Sequence, residues 1–210
     1  MSVNGRQFRA SSTLEADSPY QLGTYGMQTL FDNDPATGWS EGVDGPGIGE
    51  VLWIGLDEGA DRLLVRNGFA RTARLFAMNN RVKELDVSLW MGVLPEGMVS
   101  EWTAIYVLTP VSPISSIQLR DTSELQEVAL PDLSAHATDS LPTGYAAYAQ
   151  KAGLPPTVQE QRLFVRLEIS SVFPGTRWDD TCLTEVISAS REDRPVRVDD
   201  AAKAGDPAGQ

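Results

Sequence analysis

Along RLFVRLEISSVF (162–173) the apolar side chains fall at every second position. Leu163, Val165, Leu167 and Ile169 share one face, and Phe164, Arg166 and Glu168 take the other. A period of two is that of an extended strand with one face buried. Val82, Leu85, Val87 and Leu89 repeat the pattern more weakly within VKELDVSLWM (82–91). Comparable short runs follow as EVLWIGL (50–56), DRLLVRNGF (61–69), EWTAIYVL (101–108), SSIQLRD (115–121), LQEVAL (125–130) and CLTEVISA (182–189), divided by turn residues. Many short strands with frequent Gly and Pro between them predict an antiparallel β-sandwich. Helical periodicity is scarce. AAYAQKAG (146–153) is the best stretch, and it stops at Gly153 before Pro155 and Pro156. It falls in a Pro-flanked segment, 131–160, that reads as an insertion. Residues 191–210 lose the apolar pattern and read as a disordered, solvated tail, which leaves 1–190 as the domain. No internal repeat is visible.

The chain has 210 residues, enough for one larger domain or two small ones, and 41% of them are hydrophobic, enough for a sizeable core. A formal net charge of -12 repels phosphate backbones and anionic bilayers, so nucleic acid and membrane insertion are not expected. It leaves carboxylates free for cations. One cysteine, Cys182, and one histidine, His136, make neither an internal disulfide nor an ordinary structural zinc site. Cys182 alternates inward with Val186 and reads as a small buried hydrophobe. The start, MSVNGRQFRASST, has no apolar segment of the secretory kind, and no run reaches membrane-spanning length. A cytoplasmic chain and one processed before export both satisfy this.

FDNDPATGWSEGVDGPGIGE (31–50) has neither period and concentrates acids and glycines. GWSEG (38–42) matches the nucleophile-elbow spacing, but no strand leads into it and no helix follows, and His136 is the only candidate base. GPGIG (45–49) has the wrong spacing for a dinucleotide loop, and a strand follows it rather than precedes it. The EF-hand register fails as well, with Thr37 where glycine and Val43 where glutamate belong. Two readings of Asp32 and Asp34 stay open on composition alone. One is an Asx-turn capping its own amides; the other is a calcium loop of different geometry.

These residues carry a resemblance. FDNDPATGW resembles the acidic Thr/Trp loop of discoidin-like, or F5/8 type C, domains. With EGVDGPGIGE, NGF (67–69), NNRVKEL (79–85) and FPGTRWDDTCLTEV (173–186), the chain is similar to one branch of them, the NADase-type glycan-binding or translocation domain of bacterial surface and secreted proteins. The resemblance runs over roughly 10–189 and implies a discoidin-like, galactose-binding-like jelly-roll sandwich. It also implies a structural calcium ion held by Asp32, Thr37 and Glu185, with Asp34, Thr29 and Thr184 supplying carbonyls. Asn33 stands where the family has Gly, and Asn tolerates left-handed backbone. An extracytoplasmic location is implied too.

A glycan needs aromatic faces with amides and carboxylates beside them. The candidates in or near loops are Trp178, Asp179, Asp180, Asp44, Glu41, Asn67, Phe69, Asn80 and Arg81. Trp178, among charges after PGT, is the expected contact, whereas Trp39 is expected in the core and Arg81 beside Asp179 or Asp180 as a structural pair. The implied function is a non-catalytic module for cell-surface glycan. A sandwich docking a partner protein is the alternative. A hydrolase built on Glu41 with Asp44, or Asp179 with Asp180, would need a carboxylate separation that sequence does not supply.

Overall fold

The computed structural model describes residues 2–3, 6–15, 24–100, 103–131, 142 and 144–190. His136, the tail 191–210 and part of the 131–160 segment lie outside the described residues.

The strands are β1 (Ser2–Val3), β2 (Arg6–Ala10), β3 (Trp39–Ser40), β4 (Val51–Gly55), β5 (Arg62–Asn67), β6 (Asn80–Pro95), β7 (Val107–Pro110), β8 (Ser115–Gln118), β9 (Gln126–Ala129), β10 (Val158–Phe173) and β11 (Thr181–Ala189). Two helices, α1 (Ala73–Met78) and α2 (Tyr145–Ala152), and a 3-10 turn (Met27–Phe31) interrupt them. Antiparallel pairing orders one layer as β1-β2-β4-β10-β6, with β7 and β8 completing the far side of β6. The second layer runs β3-β11-β5-β9. The layers join where Thr181 and Cys182 pair in parallel with Asn80 and Arg81. This is the antiparallel β-sandwich expected from the alternating runs, in the jelly-roll form that the resemblance implies.

One core cluster fills the space between the layers. Leu52, Ile54, Leu85, Val87, Leu89, Val165, Leu167 and Ile169 face Leu63, Val65, Val128, Leu183 and Val186 across it. Trp39, with no exposed surface, belongs to the same cluster. Its indole Nε1–H donates to the Ser12 carbonyl at 3.1 Å, so the buried ring leaves no orphan donor.

Three differences from the sequence pattern have physical causes. The strand expected over 101–108 is shifted to Val107–Pro110, because Gly97, in the left-handed region, turns the chain and Val99 bridges Ala104. Phe164, expected on the outward face of its strand, is buried. The Tyr106 ring packs edge-on against it at 5.0 Å, and Gly92 beneath leaves room that a side chain would fill. α2 likewise covers part of this outer face, seating Tyr145 and Ala149 against Val93, Val107, Leu154 and Val158. β2 and β3 gave no period because each puts only one large apolar side chain, Phe8 or Trp39, into the core. The stop of α2 is as expected: Gly153 adopts φ 68° and returns its N–H to the Ala149 and Gln150 carbonyls.

Candidate functional site

The segment between β10 and β11, PGTRWDD, is laid across the C-terminal end of α1. Thr176 N–H donates to the Ala77 carbonyl at 3.0 Å, and Arg177 and Trp178 N–H both donate to Met78 at 3.2 and 2.9 Å. Helix ends leave such carbonyls without partners, so the loop satisfies them and is held by them. Gly175 permits the approach, since a Cβ there would lie 2.5 Å from the Met78 carbonyl oxygen. Asn80 ties the two ends of the loop together. Its Oδ1 accepts from Gly175 N–H at 2.6 Å, and its Nδ2 donates to the Asp179 carbonyl and carboxylate at 2.7 and 3.0 Å. Trp178 is therefore an aromatic, 37% exposed, on a backbone that is pinned at both ends.

Beside it opens a cavity of about 350 Å³, lined by Leu14, Glu15, Tyr25, Ser40, Phe69, Leu75, Asn79, Trp178, Asp180 and Cys182. That size is at the small end of ligand pockets, roughly 300–1,000 Å³. The structure brings Phe69, Trp178 and Asp180 of the predicted set together here, and Asp179, between the last two in sequence, does not line the cavity. Tyr25 was not singled out from sequence; it meets Phe69 edge-on at 6.4 Å. Nothing in its surroundings, TYGMQ, marks it, because only the fold carries it to this wall.

The other predicted ligand residues do different work. Asn67 has no exposed surface; its amide donates to the Val82 carbonyl at 2.7 Å and accepts from Gly68 and Val82 N–H, both at 2.9 Å. Arg81 does not pair with Asp179 or Asp180. It makes a two-pronged ion pair with Asp121 at 2.9 and 2.8 Å and donates to the Asn79 and Pro174 carbonyls. Its guanidinium also lies 5.4 Å from the Phe76 ring centre. Glu41 has no exposed surface either, and it accepts from Val43 and Thr181 N–H at 2.8 and 3.1 Å. Asp44 is exposed and does not line the cavity. Asn67, Asn80, Arg81 and Glu41 thus brace the loops around the cavity rather than present free polar groups to it.

Charge in this region is one-sided. Burial pushes the Glu41 carboxyl up, against its two backbone hydrogen bonds, and Asp180 and Glu50 add to the rise. Asp180 is also raised, first by burial and then by Asp179. Burial pushes the Cys182 thiol up to about 12, so it is protonated and inert at neutral pH. A carboxyl raised in the folded state binds its proton more tightly there than unfolded. Its cost to stability is therefore absent below the ordinary Asp range and fully present above the raised value. Asp180→Asn should accordingly raise stability at pH near 7 by an amount of order 0.5 kcal/mol, the scale of a partly solvated charge interaction, with a correspondingly higher melting temperature. The gain should fade as pH falls from the raised Asp180 value into the ordinary Asp range, where the Asp180 carboxyl is protonated. Scanning calorimetry of both forms across pH checks this, and a gain that persists in acid would refute the charge origin.

The acidic loop 32–37 is closed on itself. Asp32 accepts from Asp34 N–H at 2.9 Å and from the Thr37 hydroxyl at 2.8 Å, and Asp34 accepts from Ala36 N–H at 2.8 Å. Asn33 takes φ 57°, the left-handed conformation its side chain tolerates. The strand side of the implied calcium set is engaged elsewhere. Glu185, 2% exposed, pairs with Arg66 at 2.8 Å. The Thr184 hydroxyl donates to the Gly68 carbonyl and accepts from Ala70 N–H. The Thr29 hydroxyl donates to the Gly26 carbonyl. Among the described residues no three His, Cys, Asp or Glu side chains gather as a metal cluster. Asp32 and Thr37 fit a hard cation; Glu185, neutralised by a guanidinium that would repel one, does not.

Among the described residues no helix is long and apolar enough to cross a membrane. Residues 3–96 match the NAD glycohydrolase translocation F5/8 type C domain family. No curated protein matches the chain. Among solved structures, a putative chitobiase fragment from Bacteroides thetaiotaomicron is similar over 89% of each chain, at 13% identity and a TM-score of 0.50. The family 32 carbohydrate-binding module of EndoD from Streptococcus pneumoniae is similar over 89% of this chain and 97% of its own, at 9% identity and a TM-score of 0.46. The arabinofuranosyltransferase AftD from Mycobacteria is similar over 86% of this chain, at 15% identity and a TM-score of 0.46, and the chain spans only 10% of AftD. The FDNDPATGW loop and the jelly roll around it agree with the family match over residues 3–96, so the N-terminal part of this chain is similar to the NAD glycohydrolase translocation F5/8 type C domain and the chain as a whole has the jelly-roll fold.

Proposed function

We propose that this chain is a non-catalytic glycan-binding module whose ligand site is the cavity beside Trp178. The observation that carries the reading is the pinned, partly exposed Trp178 ring at the mouth of a cavity that also presents Tyr25, Phe69 and the Asp180 carboxylate. Sugar CH groups stack on such rings while hydroxyls meet the carboxylate. The fixed backbone removes much of the ordering cost that weak sugar contacts would otherwise have to offset. Chemistry has little support in the same place. Ser40 of the GWSEG stretch is 1% exposed, and Cys182 is protonated. Trp178→Ala is expected to weaken glycan binding at least tenfold, with the melting temperature within about 2 °C of the parent, since surface changes cost within about 0.5 kcal/mol. A glycan array followed by calorimetry on both forms is the measurement. Unchanged affinity in Trp178→Ala would sink the site assignment, and an empty array with a protein captured through this face would favour the docking reading.

Calcium enters this proposal as a weak clamp on the acidic loop, held by Asp32, Thr37 and nearby carbonyls without Glu185. Fewer charged ligands mean lower affinity, and extracellular modules bind calcium at about 10⁻⁴–10⁻³ M. With a Kd near 1 mM, calcium at about 1–10 mM adds roughly 0.4–1.4 kcal/mol. Thermal unfolding should therefore ignore chelator and micromolar calcium and rise modestly at millimolar levels. Arg66→Gln, which frees Glu185, should lower the concentration needed. A large fall with chelator means a tight site, and no rise at 10 mM means none. Calcium at millimolar levels is an extracytoplasmic condition, which accords with the surface or secreted setting the family implies.

A further inference from the structure

We propose that the Trp178 cavity selects a glycan bearing a protonated amine, an amino sugar with its nitrogen unacylated, over neutral and acidic sugars. This rests on the glycan-binding reading above and adds the ligand's charge. Three aromatic rings, Tyr25, Phe69 and Trp178, line one small cavity. Their faces are electron-rich and attract a cation within about 6 Å of a ring centre. Asp180 lines the same cavity, and among the described residues its carboxylate has no bonding partner beyond its own backbone N–H. Glu15 stands on the lining as well, and Asp179 is beside Asp180 in sequence and raises it.

Among the described residues the lining contains no Lys, Arg or His. Arg177 places its guanidinium 4.9 Å from the Trp178 ring centre, so this ring takes a cation. A neutral sugar would leave the half-buried Asp180 charge uncompensated. Sialylated, uronic or sulfated sugars would add like charge to Asp180, Asp179 and Glu15. An ammonium group offsets the charge, donates to the carboxylate and rests against the rings. The overall charge of -12 draws cationic ligands toward the surface and repels anionic ones.

The test uses calorimetry of the full chain with a glucosamine oligosaccharide and its fully N-acetylated counterpart, at about pH 6 and low salt, where the free amines are protonated. The glucosamine oligomer should bind at least tenfold more tightly, the ratio should shrink as salt rises, and Asp180→Asn should cut it to about twofold. The melting temperature of Asp180→Asn, equal to or above the parent, shows that the variant is folded. Equal or tighter binding of the acetylated form, with Trp178→Ala abolishing both, overturns the amine inference and leaves glycan binding standing. A preference that survives Asp180→Asn overturns it too. Failure to bind either oligomer or any sugar on an array removes the glycan reading and this inference with it.

Discussion

Replacing Trp39 with alanine is expected to lower the stability of the domain by about 3–5 kcal/mol, the usual cost of deleting a buried aromatic. Trp39 has no exposed surface, and its strand pairs with β11 at Leu183. The truncation would open a cavity between the 3-10 turn, β3 and β11, and it would strand the Ser12 carbonyl that the indole now satisfies. Trp39→Phe keeps most of the ring and loses only that hydrogen bond, so it should cost nearer 1–2 kcal/mol. Denaturant unfolding of both variants, run beside Trp178→Ala, separates a core tryptophan from a surface one. Equal losses at Trp39 and Trp178 would defeat the assignment.

Arg81→Ala is the second large effect, about 2–4 kcal/mol. Removing one partner of a buried ion pair typically costs 3–5 kcal/mol, and the figure is discounted here because the Asp121 side chain is 40% exposed and can be rehydrated. The loss extends beyond the pair. Arg81 Nη1 holds the carbonyls of Asn79 and Pro174 together, and Pro174 begins the loop that carries Trp178. The variant should therefore bind glycan more weakly even under conditions where it is fully folded. Arg81→Lys should not rescue it, because one ammonium cannot reproduce the planar two-pronged contact with Asp121. Urea melts and binding titrations on the same samples test both halves. Unchanged affinity in a folded Arg81→Ala would show that the loop holds its shape without this brace.

The fold was legible wherever one face of a strand meets the core and the other meets solvent. β4, β5, β8, β9, β10 and β11 were predicted within a few residues because their apolar positions alternate. Legibility failed where a second layer covers the outer face. Phe164 looked outward in the sequence and is buried by Tyr106, and the true start of β10 at Val158 was hidden in what read as an insertion. Of the site, the aromatic Trp178 and its neighbour Asp180 could be found from a turn dense in charge. Tyr25, Leu14 and Asn79 could not, since their place on the wall depends on three distant segments meeting. Asn67, Asn80 and Arg81 read in the sequence as polar residues near loops. What sequence cannot show is whether a polar side chain spends its hydrogen bonds inward, and here all three do.

Among the described residues, the strand that comes last in chain order is not at an edge. β11 lies between β3 and β5 and touches β6 through its first two residues, so it completes the second layer from within. A nascent chain that has emerged only as far as β10 holds β5 and β9 without the neighbour that joins them to the rest. Folding must then wait for the C-terminal segment and close pairings more than a hundred residues apart, such as Ala189 with Arg62. Topologies of that kind reach their transition state slowly, on the millisecond-to-second scale. Until then the unpaired flank of β5, with Leu63 and Val65, is a sticky edge open to other chains. Yield of soluble protein should therefore depend on expression rate and temperature far more than on the stability of the finished sandwich.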